Sequence, residues 1–159
     1  TYKRSDFAAH GIPHDFRQDN HSYSAQAGVL RGLHFQLPPQ DQGKLVRCVK
    51  GTILDVAVDI RRGSPTYGHW VGVELSAQRQ DELWVPSGFA HGFVTRQADC
   101  EVAYKTTNEY APALERTIRW DDPALAIDWG TKQPILAARD AAAPTLAQLD
   151  NPFVYGDAR

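Results

Sequence analysis

Short runs of alternating or continuous apolar residues recur along the chain, and glycine or proline separates most of them. Helical periodicity is scarce, whereas runs of this length with turn residues between them are typical of strands. The pattern predicts strands at 28–36, 44–50, 52–60, 69–75, 82–85, 92–95, 101–106 and 117–120. Eight strands at this spacing favour an all-β jelly roll or barrel over a β/α fold.

Helical patterns are confined to the two ends of the chain. We predict short helices at 5–10 and at 137–150, the second in an alanine-rich stretch that contains Pro144. No internal repeat, low-complexity linker or charged run divides the sequence. We therefore expect residues 1–159 to form a single domain.

Strand alternation indicates which side chains share a face. In the strand predicted at 52–60, Asp55 and Asp59 lie on one face and the aliphatic side chains on the other. Two carboxylates therefore lie on one side of this strand. In the seventh predicted strand, Tyr104 shares a face with Val102 and is expected to point into the barrel, where a phenol needs a polar partner.

Composition and charge exclude several classes of protein. The 159 residues include 17 basic and 19 acidic side chains, a net charge of −2, which argues against a general nucleic-acid binder. No run approaches the roughly 18 consecutive apolar residues of a membrane span, and early charges such as Lys3 and Arg4 argue against a secretory signal. We expect a cytoplasmic protein. Cys48 and Cys100 lack zinc-site spacing and are predicted to be buried thiols.

The most informative segment is 28–36, because an otherwise apolar strand carries a guanidinium, an imidazole and an amide. Regular alternation would put Arg31 and His34 on opposite faces. Either Gly32 marks a bulge that turns one of them, or only His34 faces inward. Lys44 begins the next strand, and taken alone it is most often a solvated lysine at the end of a strand.

A second cluster lies at 86–93, where the pattern Pro-x-Gly-x-x-His matches the second motif of cupins. In that motif the proline and glycine shape a turn, and the histidine, here His91, points into the barrel. Metal-binding cupins also need a His-x-His pair and a glutamate, but this chain has His34-Phe35-Gln36 at the corresponding place. Metal ligation by His34, Gln36, His91 and Glu74 remains a minor alternative.

A third cluster spans 104–112 and continues to Glu115, with aromatic residues that either pack or stack on a flat ring. The Arg139-Asp140 pair lies where the C-terminal segment begins. The sequence contains no Walker loop, GxGxxG, HExxH or GxSxG motif. Nucleotide hydrolysis, dinucleotide redox chemistry and serine-type acyl transfer therefore lack their usual residues.

Taken together, six collinear motifs closely resemble the dTDP-4-dehydrorhamnose 3,5-epimerase family of the cupin superfamily. They lie at 18–22, 28–36, 42–47, 55–61, 86–93 and 104–107, and the resemblance extends from about residue 5 to residue 155. The resemblance implies a cupin-type jelly roll (double-stranded β-helix) with short flanking helices. It also implies a homodimer, no metal or other cofactor, and a dTDP-4-keto-6-deoxy-hexose substrate.

The resemblance assigns four catalytic roles. His34 matches the base, and Asp140 matches the aspartate that orients it. Tyr104 matches the acid, and Lys44 the lysine near the developing enolate oxygen. These residue types suit the chemistry, because proton removal beside a ketone needs a base active near neutral pH, a cation at the oxygen, and an acid on the opposite face.

The remaining matches concern substrate binding. Positions that bind the sugar and diphosphate match Gln18, Asn20, Arg31 and His91. Tyr110 corresponds to the aromatic residue that stacks on thymine, and Glu115 to a further substrate contact. Arg139 stands where the family usually has lysine, which keeps the charge but changes the geometry of a phosphate contact. Asp55 matches an inward carboxylate of the pocket whose role is less defined.

Family members begin with a further segment that reaches across the dimer to the nucleotide. This sequence begins at Thr1 without methionine, and we expect that segment to have been truncated or omitted. The predicted activity is inversion of C3 and C5 of dTDP-4-keto-6-deoxy-D-glucose to give dTDP-4-keto-L-rhamnose. The alternatives are a mono-epimerase or 3,4-ketoisomerase on a related sugar and, from other classes, a metal-dependent cupin oxygenase or a noncatalytic sugar-binding cupin.

Overall fold

A computed structural model describes residues 2–157 of the chain. Two short α-helices flank the strands: α1 spans Arg4–Ala9 and α2 spans Ala138–Ala141. The strands are β1 Gln18–Ser24, β2 Val29–Gln36, β3 Lys44–Lys50, β4 Thr52–Asp59, β5 Trp70–Ser76, β6 Glu82–Val85, β7 Phe89–Thr95, β8 Cys100–Thr106, β9 Glu115–Thr117 and β10 Ile135–Leu136. Two 3₁₀ turns lie at Pro112–Leu114 and Leu146–Gln148. The longest of the described helices has six residues, too short to cross a bilayer.

The strands form two sheets, as the jelly-roll prediction requires. One sheet has the order β1-β8-β3-β6, and the other has the order β10-β2-β7-β4-β5, with β9 also pairing with β2. Every pairing is antiparallel except that of β10 with β2. The all-β cupin-type fold is therefore confirmed.

Two apolar clusters hold these layers together. Between the sheets, Val46 and Val102 of one sheet meet Phe93 and Leu75 of the other. The opposite face of the second sheet, including Val56, packs against the segment that runs from about residue 118 to residue 153. Burying both faces of a sheet removes most of its apolar surface from water, at roughly 25 cal/mol per Å². The C-terminal segment is therefore part of the core.

The predicted face assignment of β4 is confirmed. Val56 and Val58 belong to the cluster beneath the C-terminal segment, whereas Asp55 and Ala57 lie on the face toward the barrel interior. The predicted buried thiols are also confirmed, because Cys48 and Cys100 are both free and buried.

Several elements differ from the prediction: β10 has no predicted counterpart, and β7 begins three residues before the strand predicted at 92–95. The strand β1 is missing from the prediction, because its sequence Gln-Asp-Asn-His-Ser-Tyr-Ser contains no aliphatic residue. The strand predicted at 117–120 is β9, which begins at Glu115 and ends at Thr117. A continuous helix at 137–150 is wrong, because α2 ends before Pro144 and a 3₁₀ turn follows. Proline cannot donate the helical hydrogen bond, and the carbonyl of Pro144 instead accepts from the Arg119 amide at 2.8 Å.

Candidate active site

A bulge in β2 brings Arg31 and His34 to the same face of the sheet. Arg31 pairs with Phe93 and His34 with His91, so three steps along β2 match two steps along β7. The extra residue reverses the alternation. At Gly32, φ is +131°, and an added Cβ would lie 2.5 Å from the Gly92 Cα. Only glycine fits there, and of the two alternatives left open by the sequence, the bulge is correct.

His34 is hydrogen-bonded to a buried carboxylate from the far end of the chain. Its Nε2 lies 2.7 Å from Oδ1 of Asp140 in α2, and Asp140 is 1% exposed. A carboxylate can only accept, so Nε2 donates and Nδ1 is left as the basic nitrogen of the neutral ring. The Gly32 amide, 3.4 Å away, donates to Oδ2. Burial alone would raise the pKa of Asp140, but the hydrogen bonds from His34 and Gly32 and the nearby Arg139 lower it.

Tyr104 faces His34 from the other sheet. It lies on β8, opposite Asn20 of β1 and Val46 of β3, and its side chain borders the same cavity as His34. Within residues 2–157 its hydroxyl has no hydrogen-bond partner. Burial, aided by the charge of Glu115, raises the pKa of Tyr104. The phenol therefore keeps its proton at neutral pH and presents it to the cavity.

Lys44 is buried rather than solvated at the end of its strand. It is 7% exposed, and its Nζ donates to the backbone carbonyl of His34 at 3.3 Å. Burial lowers the pKa of Lys44 to about 8, although the charges of Glu115 and Asp55 act in the opposite direction. A desolvated ammonium that remains charged at neutral pH is suited to an oxygen that gains negative charge.

A second His–Asp pair lies beside the first. His91 is the cross-strand neighbour of His34, and its Nε2 lies 2.8 Å from Oδ1 of Asp55. Both residues are buried, Asp55 completely. The cupin motif thus places His91 in the barrel interior as expected.

The residues proposed for a metal site have other partners. The Nε2 of Gln36 donates hydrogen bonds to the backbone carbonyls of Gln40 and Glu109. Its Oε1 accepts a hydrogen bond from the Ala111 amide at 2.8 Å. Glu74 is about half exposed and pairs with Arg79. Among residues 2–157, no group of three or more histidines, cysteines or carboxylates is arranged to hold a metal ion. Gln36 therefore braces two loops that border the cavity.

The mouth of the cavity carries an ion-paired network. Glu115 Oε2 accepts from Arg139 at 2.6 Å and from the Tyr110 hydroxyl at 2.8 Å. The Tyr110 amide in turn donates to Gln18 Oε1 at 2.8 Å. Tyr110 is 47% exposed, so its ring is available to stack on a ligand.

All the predicted site residues border two adjoining cavities of about 360 and 220 Å³. These residues are Gln18, Asn20, Arg31, His34, Lys44, His91, Tyr104, Tyr110, Glu115, Arg139 and Asp140. Four further lining residues were not predicted: Ser22, Gln42, Phe93 and Ala137. Ser22 was detectable, since it continues the period-two series of Gln18 and Asn20.

The sequence profile of one family, described as dTDP-4-dehydrorhamnose 3,5-epimerase, matches residues 1–148. A curated protein of that name from Salmonella typhimurium is 58% identical over 134 residues, which are 84% of this chain and 73% of that protein. Another from Sinorhizobium fredii is 52% identical over 139 residues, which are 87% of this chain and 71% of that protein.

Solved structures show the same similarity. A dTDP-6-deoxy-D-glucose-3,5-epimerase from Legionella pneumophila, in complex with dTDP-4-keto-L-rhamnose, matches with a TM-score of 0.90 and 49% identity, covering 94% of this chain and 80% of that one. A 3'-monoepimerase from Streptomyces bikiniensis, in complex with dTDP-quinovose, matches with a TM-score of 0.84 and 37% identity. That match covers 92% of this chain and 74% of the other.

Proposed function

The chain belongs to the dTDP-4-dehydrorhamnose 3,5-epimerase family of isomerases, and on this basis we propose that it inverts C3 and C5 of dTDP-4-keto-6-deoxy-D-glucose. The product is dTDP-4-keto-L-rhamnose. One observation carries the proposal: His34 and Tyr104 stand on opposing sheets and border one cavity. A sugar ring bound between the sheets has a base on one face and an acid on the other.

The proton transfers follow from these positions. His34 Nδ1 removes the proton from a carbon next to the C4 ketone, and Asp140 orients the ring and stabilises the imidazolium that forms. The electron pair moves onto the C4 oxygen, where the Lys44 ammonium stabilises the enolate. Tyr104 then donates its proton to the opposite face of the same carbon. Before the transfers repeat at the second carbon, His34 releases its proton to solvent and Tyr104 takes one from solvent, so both residues are restored and no redox step is needed.

The charged groups at the cavity mouth suit the nucleotide. Arg31 and Arg139 supply positive charge for the diphosphate, and Tyr110 stacks on thymine. Gln18 and Asn20 contribute polar contacts from β1. Glu115 holds Arg139 and Tyr110 in place. Because Arg139 is planar and bidentate, it would contact a phosphate through two parallel hydrogen bonds, where a lysine makes one point contact.

A mono-epimerase is the second candidate, because a 3'-monoepimerase is among the similar solved structures. The two activities share the base and the cavity, and they differ in whether one or both carbons are inverted. A 3,4-ketoisomerase or a noncatalytic sugar-binding cupin would not use His34 and Tyr104 as an opposed pair. A metal-dependent oxygenase would need Gln36 as a ligand, and its amide is occupied by backbone groups.

We also propose a homodimer, which rests on the family resemblance, and a cytoplasmic location. The free buried thiols of Cys48 and Cys100 suit a reducing compartment. Residues 1–159 are proposed to act as one domain. Sedimentation velocity of the purified protein tests the dimer, and a single species of monomer mass would contradict it.

The decisive experiment is incubation with dTDP-4-keto-6-deoxyglucose in deuterium oxide, with the label measured separately at C3 and C5 by NMR. A 3,5-epimerase incorporates deuterium at both carbons and inverts both. Inversion and label at one carbon indicate the mono-epimerase. No label at either carbon would refute epimerisation, and the His34→Asn variant serves as the blank.

A further inference from the structure

The proposed mechanism leaves one buried charge without a role. Asp55 is 0% exposed, yet only its Oδ1 has a hydrogen-bond partner, which is His91. Within residues 2–157, Oδ2 is buried and bonds to nothing. A buried carboxylate is costly unless its partners compensate for the lost water, so its presence needs an explanation.

The two aspartates differ in how many partners they have. Both oxygens of Asp140 are hydrogen-bonded, and Arg139 Nε lies 3.5 Å away. Asp55 has one hydrogen bond only, and that bond is to a ring that borders the cavity. The hydrogen-bonded route from Asp55 to the cavity therefore passes through His91, while its charge also acts on Lys44.

That hydrogen bond fixes which nitrogen of His91 carries the hydrogen. A carboxylate accepts only, so Nε2 must donate to it, and in the neutral ring Nδ1 is then an acceptor. Nδ1 has no hydrogen-bond partner among the described residues and is not a buried unpartnered atom, so it is open to the cavity. The same logic applies to a serine-protease aspartate, where loss of the charge gives the wrong tautomer.

We propose that Asp55 is a positioning residue, which holds His91 in the Nε2–H tautomer so that Nδ1 accepts a hydrogen bond from a sugar hydroxyl of the substrate. The proposal rests on the proposed function and refines the part of the substrate that His91 recognises. A neutral acceptor nitrogen suits a hydroxyl and would repel the oxygens of a diphosphate. His91 therefore binds a hydroxyl of the hexose, and the guanidinium groups of Arg31 and Arg139 bind the diphosphate.

The first test uses the unmodified protein. Uniform ¹⁵N labelling and long-range ¹H–¹⁵N correlation at pH 8 report which ring nitrogen carries the hydrogen, and the His91→Gln variant identifies the His91 signals. We expect a protonated Nε2 and an unprotonated Nδ1. A ring protonated on Nδ1, or on both nitrogens, overturns the proposal.

The second test is Asp55→Asn, whose amide can accept or donate and so does not dictate the tautomer. We expect kcat/KM for the keto-sugar nucleotide to fall by about 10- to 100-fold, with the Nε2–H population reduced. The affinity of the variant for dTDP should stay within about twofold of the wild-type value. This ligand lacks the hexose and makes only nucleotide contacts. An equal loss of dTDP affinity, or an unchanged kcat/KM, overturns the proposal.

A matched control and a double variant separate positioning from packing. Val73→Ala removes packing directly opposite Asp55 in the sheet register, and it should leave the His91 tautomer unchanged. Asp55→Asn should add little to the loss already caused by His91→Gln if it acts through that ring, whereas additive losses contradict this route. If the unmodified protein fails to label C3 or C5, the proposed function fails, and the tautomer measurement still stands on its own.

Discussion

Replacing Lys44 by methionine should make the protein more stable and much less active. Lys44 is 7% exposed, and burial lowers its pKa from 10.5 to about 8. Methionine has a similar length and volume without the charge, so it can fill the same space between the sheets. The variant therefore removes a desolvated cation while it preserves the packing.

The magnitude follows from the lowered pKa. A change from 10.5 to about 8 means that the folded protein holds the ammonium at a cost of about 3 kcal/mol. Methionine also loses the hydrogen bond to the His34 carbonyl, which is worth about 1 kcal/mol. We expect a net gain of about 2 kcal/mol in the free energy of unfolding at pH 7.

The dependence on pH gives the sharper test. Between pH 8 and 10.5 the lysine is protonated in the unfolded chain and neutral in the folded one. The unfolded state then binds more protons, so the Lys44 contribution to stability rises with pH in this window. The advantage of Lys44→Met should therefore shrink across it, as measured by urea unfolding at pH 7, 8, 9 and 10.

Activity should change in the opposite direction. Without the ammonium at the enolate oxygen, kcat should fall by at least about 10²-fold, and wild-type kcat/KM should decline above pH 8 as Lys44 loses its proton. A stability difference between the two proteins that is the same at pH 7 and pH 10 would show that Lys44 is not desolvated. A variant with near-normal kcat would remove Lys44 from the mechanism.

Three further outcomes are expected from the proposed site. His34→Asn should lower exchange at both carbons by about 10²- to 10⁴-fold while the nucleotide still binds, and near-normal turnover would exclude His34 as the base. Tyr104→Phe should still exchange deuterium into recovered substrate but form much less inverted sugar, whereas equal losses of exchange and product would make Tyr104 a positioning residue. Chelator treatment should leave turnover unchanged, since Gln36 is bonded to loop backbone, and iron-dependent recovery would favour an oxygenase.

The regular strands were predictable because their period of two is a local property. In β4 the alternation of residue types alone is enough to place Asp55 on the face opposite to Val56 and Val58. The same rule failed to reveal β1, because the inward side of that strand carries Gln18, Asn20 and Ser22, which serve the cavity rather than the core. Polar residues on the cavity side of a strand thus remove the apolar alternation by which a strand is recognised in the sequence.

The candidate site depended on information that local patterns do not contain. Alternation alone puts Arg31 and His34 on opposite faces, and only the register against β7 shows the bulge that brings them together. The pairing of His34 with Asp140 joins positions 106 residues apart in the sequence. Resemblance to a family supplied that pair, whereas periodicity and spacing could not.

The two histidines of the cavity show how position determines function. They are cross-strand neighbours, and each donates Nε2–H to a buried aspartate. For His91 that aspartate is on β4, within the barrel itself, but for His34 it is on α2, within the segment that packs on the outside of the second sheet. The His34–Asp140 pair therefore forms only when α2 is in place, whereas both members of the His91–Asp55 pair lie on strands of the same sheet. A change that displaces α2 alone, which contributes no residue to the apolar cluster under the second sheet, should disable proton abstraction by His34 and leave the His91–Asp55 hydrogen bond intact.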